Sequence, residues 1–459
     1  MNYLNTSIFN KGSFLLLLLY FLCFHIHILL TDYIYFYREL FFTIFCILSF
    51  FYIRNYKIKF LNIFLNKDIL IFSFSYLLFF IILFFNQGDI DPEFSQKDSF
   101  LQNITNKNIL ALYVIRNFAL FIPIMFFFYL RGISKYEFRK ILFFYFFMGI
   151  INYLVYIFYY VDINILGFTT FIYNNNYLSS YNTYIPLISG IFIVGIYLSL
   201  TAKKYSHIFI FTCVTSFYFF IILISSGKAS ILFSLISLIY LIIVLFKNKK
   251  KLLFFIIIFF SFNFIFHITT IHFVNIGSDQ IKDTNKIEEF NKKKFGFNDN
   301  PIFDGDKSIY PIISRWESRS DLNPRKVIYK EFANYLKISF DNKMIFFFGT
   351  GSLISLISGF HNDYMRLFYR SGLIGMIFSF IPIFYFLFKC LFYSYRNLFF
   401  NEKSNITHLL TVLLTFIPFY SLFAYPREDV FQAGIFSLSL ILYFGSISSN
   451  SKYEEYKTL

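Results

Sequence analysis

Apolar runs long enough to cross a lipid bilayer recur throughout this chain. "SFLLLLLYFLCFHIHILL" begins at Ser13 and "ASILFSLISLIYLIIVLF" at Ala229. Each approaches the roughly 20 residues that a helix needs to span about 30 Å of hydrocarbon. The rest of the composition agrees, since 57% of the 459 residues are hydrophobic and only 15% are charged. Water-soluble folds do not carry so little charge. The expected fold class is therefore an all-α polytopic membrane protein. About twelve transmembrane helices are predicted, centred near residues 22, 44, 77, 119, 151, 193, 216, 238, 263, 378, 415 and 440. The first run lacks a small-residue cleavage site and exceeds a usual signal-peptide core, so it is expected to stay as an anchor.

The net charge of +15 follows the same plan. With the N-terminus inside, the inner loops and tails carry twenty Lys and Arg, including those in "RNYKIKFLNIFLNK", "RGISKYEFRK" and "KNKKK", against four in the short outer loops. That asymmetry obeys the positive-inside rule, which places both termini in the cytoplasm and makes a nucleic-acid partner unnecessary. Cys23, Cys46, Cys213 and Cys390 fall in or beside apolar runs without paired spacing, and read as packing residues.

The chain divides into residues 1–274 with nine predicted spans, a large outer loop at 275–345, and residues 346–459 with three more spans. Two smaller outer loops, at 86–108 and 162–184, are acidic and Tyr/Asn-rich respectively. The large loop begins with a charged stretch of disorder-like composition. At "NPRKVIYKEFANYLKIS" Asn323 can cap a helix with Pro324 at its first position, and Val327, Ile328, Phe332, Tyr335 and Leu336 share one face. An amphipathic helix lying on the outer membrane surface is expected there. The two halves show no mirrored pattern, which argues against the pseudo-symmetry common in secondary transporters.

The chemistry-bearing stretch is "HNDYMRLFYRSGLIG", from His361, after a glycine-rich approach "FFFGTGSLISLISGF". A histidine at the outer mouth of a span is wet enough to titrate and sheltered enough to act as a base, although a lone interfacial histidine can equally be an anchor. His25, His27, His267 and His272 read as anchors of that kind. The pattern around His361 resembles the signature of the O-antigen polymerase and ligase family: a Gly-x-Gly, then His-Asn, an apolar residue three positions on, and a Gly-x-x-Gly within the span. The matching residues are Gly349, Gly351, His361, Asn362, Met365, Gly372 and Gly375. The resemblance covers residues 185–445.

That resemblance implies a membrane glycosyltransferase that moves glycan from a polyprenyl-diphosphate carrier, working on the periplasmic face of the bacterial inner membrane. A diphosphate is already a competent leaving group, so the chemistry needs a base for the attacking hydroxyl and cations to hold the anion. His361 is the expected base. Arg319 and Arg325 in the large loop are candidate cations, Arg325 in the first turn of the predicted helix, where free N–H groups favour an anion. Their alternative is pairing with Glu317, Asp321 or Glu331 on a wet surface. Lys228 in "SSGKAS" stands where the family commonly has arginine; it keeps the charge and loses the bidentate fork. Arg116 in "ALYVIRNFALFIP" lies within an apolar run, where arginine costs roughly 2.5 to 3.5 kcal/mol, and faces either Glu39 or the carrier phosphates. Arg366 and Arg370 would line one stripe of the tenth span beneath His361.

No metal or other cofactor is expected: "DNPIFDGD" with Asp299, Asp304 and Asp306 departs from calcium-loop spacing. The implied partners are a polyprenyl-diphosphate-linked oligosaccharide, the bilayer and a chain-length regulator. Polymerase, ligase and flippase remain three readings. The first extends lipid-linked repeat units with inversion, the second moves finished glycan to lipid A core, and the third translocates the lipid without forming a bond.

Overall fold

A computed structural model describes residues 37–55, 63–64, 66–85, 115, 118–133, 135–160, 184–224, 228–245, 248–280, 332–333, 335–349, 362–396, 402–422 and 430–448. Regular structure among them is entirely helical, as backbone in a hydrocarbon layer requires. In chain order the helices are α1 (Tyr37–Asn55), α2 (Lys67–Phe85), α3 (Phe121–Arg131), α4 (Lys135–Tyr160), α5 (Tyr184–Thr201), α6 (Tyr205–Ile224), α7 (Lys228–Leu245), α8 (Lys249–Gln280), α9 (Lys343–Phe348), α10 (Asp363–Arg396), α11 (Glu402–Tyr420) and α12 (Val430–Tyr443), the last continuing into a π-helical turn at Phe444–Ser448.

Among the described residues, three helices are long and apolar enough to cross a membrane: Lys67–Phe85, Tyr205–Leu223 and Asp363–Tyr395. Shorter apolar helices include Phe121–Arg131, Ile185–Thr201, Ala229–Leu245 and Asn405–Tyr420. Ten of the expected span centres fall inside these helices; Ala119 is helical too, just before α3, and the centre near 22 lies outside the described residues. α8 continues to Gln280, past the expected loop start at 275.

The chain forms two compact units, residues 149–322 and the remainder. In the 149–322 unit, α5 packs against α6 and α7, and α6 against α8. Here the Ser216 hydroxyl donates to the Phe259 carbonyl across helices (3.3 Å) and to Thr212 within its own (2.8 Å). Such bonds satisfy a hydroxyl that is fully buried between the helices.

In the other unit α10 is central, with α2, α9 and α11 against it, while α3 joins α1 to α12. Its core is aromatic: Phe72, Phe386, Tyr443 and Phe444 meet with centroids 4.6 to 6.1 Å apart. Edge-to-face and offset pairs of this sort contribute about 0.5–1.5 kcal/mol each beyond burial. They fill the space that aliphatic residues fill in most membrane bundles.

Candidate functional site

The region around the His-Asn motif is organised by two glycines. α9 begins at Asn342, whose side chain accepts from the Met344 and Ile345 N–H groups (3.1 and 3.5 Å), and ends at Gly349 with φ +79°. Gly372, with φ +63°, interrupts α10. L-residues rarely adopt such angles. The two glycines also lie against one another's surroundings. A Cβ on Gly349 would stand 2.5 Å from the Gly372 nitrogen and 2.6 Å from the Arg370 carbonyl, and one on Gly372 would stand 2.4 Å from the Phe347 carbonyl and the Phe348 nitrogen. Backbone touches backbone there, which only the absence of side chains permits.

The break at Gly372 changes what the motif helix is. Tyr364 and Phe380 stack with centroids 4.4 Å apart, although residues so separated in a continuous helix lie about 24 Å apart. α10 therefore has two arms: Asp363–Ser371 runs back beside the residues that follow Gly372. Arg366 and Arg370 do not lie on a stripe of the tenth span, as the sequence suggests, but on the first arm. Asn362, at the start of this arm, lies roughly 15 Å of helix from the break. Irregular backbone within an apolar helical bundle is tolerated only where protein surrounds it.

Protein does surround it. The Asp363 N–H donates to the Ser421 carbonyl (2.7 Å) and the Tyr364 hydroxyl to the Pro418 carbonyl (3.0 Å). The Asn362 amide donates to the Leu422 carbonyl (3.3 Å), while its Oδ1 accepts from the Met365 N–H (3.1 Å), an N-cap. The fully buried Asp363 carboxylate accepts from the Ser421 hydroxyl (3.4 Å) and faces the Arg366 guanidinium at 3.7 Å. Asp363 also lies in the first turn, where the helix dipole favours an anion. Arg370 is buried at the far end of the arm.

On the arm's other side, residues 335–341 are helical. Tyr335 meets Tyr369 and Phe368, and its hydroxyl donates to the Tyr369 carbonyl (3.4 Å). Two residues of the expected amphipathic stripe, Phe332 and Tyr335, thus pack on the motif arm, while Val327 and Ile328 lie outside the described residues. Burial and the neighbouring Tyr369 push the Tyr335 phenol up, keeping it neutral.

Of the residues singled out from the sequence, the structure describes Gly349, Asn362, Met365, Arg366, Arg370, Gly372 and Gly375, and brings the first two glycine positions into contact. Lys228 is the first residue of α7. His361, Gly351, Arg116, Arg319 and Arg325 lie outside the described residues.

A second polar cluster went unseen in the sequence. Asp68, capped by Asn66 (3.0 Å), is buried where α2 begins, and its carboxylate accepts two bonds from Lys389 of α10 (2.6 and 2.7 Å). The hydroxyls of Tyr385 (3.1 Å) and Tyr443 (3.0 Å) complete it. A lone lysine in "FLFKCLF" was the available signal, because a buried cation requires a partner. The cluster ties α2, α10 and α12 together at the end of α10 remote from the motif. Among the described residues no group of three or more His, Cys, Asp or Glu converges as a metal site would require.

Fold and site together define a helical membrane protein with a broken, charged helix held in its interior. The chain matches no known protein family, no curated protein and no solved structure.

Proposed function

We propose that the protein is an integral membrane glycosyltransferase of the O-antigen polymerase kind. It sits as a multi-pass protein in the bacterial inner membrane, with its active site on the periplasmic face, and extends oligosaccharide repeat units carried on a polyprenyl diphosphate. His361 takes the proton of the acceptor hydroxyl. The oxygen attacks the anomeric carbon, the carrier diphosphate leaves, and the configuration inverts in that single displacement. Arg319, Arg325, Lys228, Arg116 and Arg370 supply the positive charge that holds the diphosphate, and a chain-length regulator acts as partner.

One observation carries this reading. Two glycines of the motif, Gly349 and Gly372, meet backbone to backbone beside a partly buried arm that begins with Asn362 and the buried Asp363 and carries Arg366 and the buried Arg370. Charged side chains within an apolar layer are costly and mark substrate or ion paths by default. A polar arm folded against an apolar helix suits a diphosphate whose lipid tail stays in the bilayer.

The test uses purified protein with a lipid-linked oligosaccharide donor and no energy source. Wild type should lengthen glycan, and His361→Ala should insert normally and lose that activity by a hundredfold or more, in the range general-base removal produces. Transfer to lipid A core alone would make the protein a ligase; translocation without a new glycosidic bond would make it a flippase. Normal polymer length from His361→Ala would remove the base.

A further inference from the structure

The inner basic residues of the 149–322 unit do more than set orientation. Two turns distant in sequence, the one joining α5 to α6 and the one preceding α8, come together at one end of this unit. Lys251 Nζ donates to the Ala202 and Lys203 carbonyls (3.3 and 2.9 Å), closing the C-terminal end of α5. Around that bridge Lys203, Lys204, Lys249 and Lys250 are all exposed. Asn248 caps α8 by accepting from the Lys250 and Lys251 N–H groups (3.0 and 3.4 Å), so these lysines crowd a helix N-terminus, the end where cations are least favoured.

The single carboxylate among the described residues of this unit is Asp279, thirty residues along α8 and so about 45 Å away. Directly adjoining the lysines is an exposed apolar strip. Tyr205 packs edge-on against Phe254 (5.2 Å), and Phe209 against Phe262 (5.9 Å), while Tyr205, Phe209, Leu253 and Ile257 stay 44 to 59% exposed. A cationic cluster continuous with an exposed apolar strip between two helices is complementary to an anionic head with its acyl chain.

The geometry points to a binding site for one anionic phospholipid on the inner leaflet, its phosphate between Lys203/Lys204 and Lys249/Lys250 and its acyl chains along the α6–α8 strip. A positive-inside bias needs only the number of lysines in each loop. Their convergence beside exposed aromatic and aliphatic residues, with no carboxylate but that of Asp279 among the described residues of this unit, is the additional feature, and basic pockets between helices on the inner side are where anionic head groups bind. The site is independent of the proposed transferase chemistry.

The experiment uses the full chain in detergent, with phosphatidylglycerol or phosphatidylcholine of identical acyl chains as probes, read by native mass spectrometry and by amine-reactive footprinting. Wild type should retain phosphatidylglycerol at least tenfold over phosphatidylcholine, since each lysine near a head group changes affinity by about fivefold. Phosphatidylglycerol, and not inorganic phosphate at the same concentration, should slow acylation of Lys203, Lys204, Lys249 and Lys250 while leaving the exposed Lys337 unchanged. Replacing those four by Gln should abolish the preference, and replacing them by Arg, or making Lys337→Gln with Lys343→Gln, should keep it. The proposal is overturned if wild type does not discriminate, if inorganic phosphate protects equally, or if the four-Gln variant still prefers phosphatidylglycerol. The footprint on wild type decides the matter even if that variant fails to insert.

Discussion

Placing a methyl group on either motif glycine tests the arrangement of α9 and α10 directly. In Gly372→Ala the new Cβ meets the Phe347 carbonyl and the Phe348 nitrogen at 2.4 Å, whereas ordinary contact begins near 3.4 Å. The two backbones must separate by about 1 Å, and the φ of +63° must be held by an L-residue at a cost of about 1–3 kcal/mol. Separation also loosens the Phe346–Phe368 pair at 5.6 Å, worth about 0.5–1.5 kcal/mol. The total is roughly 2–4 kcal/mol, and Gly349→Ala should cost about the same because it strikes the same contact from the other side.

For that reason the two should not add. Once either methyl has separated the backbones, the second adds only its own φ strain, so the double variant should fall short of the sum by about 1–2 kcal/mol. Gly149→Ala is the comparison. Its Cβ would meet the Tyr218 hydroxyl and the Ile191 Cδ1, the far ends of side chains, at 2.7 and 2.8 Å, and its backbone is free of a positive φ. A thiol-reactive dye reports unfolding through buried Cys390, with Cys23, Cys46 and Cys213 replaced by Ser. The motif variants should lower the midpoint by roughly 5–15 °C at about 2–4 °C per kcal/mol. If both lie within the Gly149→Ala shift, or if the double variant is additive, the backbone contact does not exist.

Further outcomes follow from the two polar clusters. Lys389→Met leaves the Asp68 carboxylate buried with only tyrosine hydroxyls and should cost about 3–5 kcal/mol; Asp68→Asn should cost less because Lys389, still 26% exposed, can turn toward water. Combining them should recover part of the loss, measured by the same dye. Asn362→Ala removes an N-cap and the bond to the Leu422 carbonyl, and should cost about 1–2 kcal/mol. Asn362→Asp should keep the cap but set a second carboxylate beside Asp363, so it should not restore wild-type stability. Ser216→Ala, losing an interhelical bond in the other unit, should cost only about 0.6 kcal/mol by thermal unfolding.

Much of the site was legible as residue types and spacing. Gly349, Gly372 and Gly375 stand out because glycine is sparse in so apolar a chain, and Asn362 because it follows a histidine at the start of an apolar run; the structure uses Gly349, Asn362 and Gly372 at a helix end, a helix cap and a helix break. What spacing could not convey is that Gly372 turns the helix back. A glycine within an apolar run looks the same whether it eases packing, as small residues do between membrane helices, or reverses the chain. The stripe of Phe332 and Tyr335 was similarly visible as a face, while its partner was not: an apolar face dictates that something apolar covers it, and lipid, the membrane surface and the motif arm satisfy that equally well in one dimension.

Hydropathy alone determined that the chain is helical and suited to a membrane, because a backbone deprived of water must bond to itself within each apolar segment, and that requirement is local. Side-chain pairings across the fold were decided by tertiary structure. Asp68 and Lys389 are 321 positions apart and Asp363 and Ser421 are 58 apart, and burial of a charge becomes tolerable only when a partner arrives from another helix. Nothing in the order of residues names that partner; only the packing of helices does.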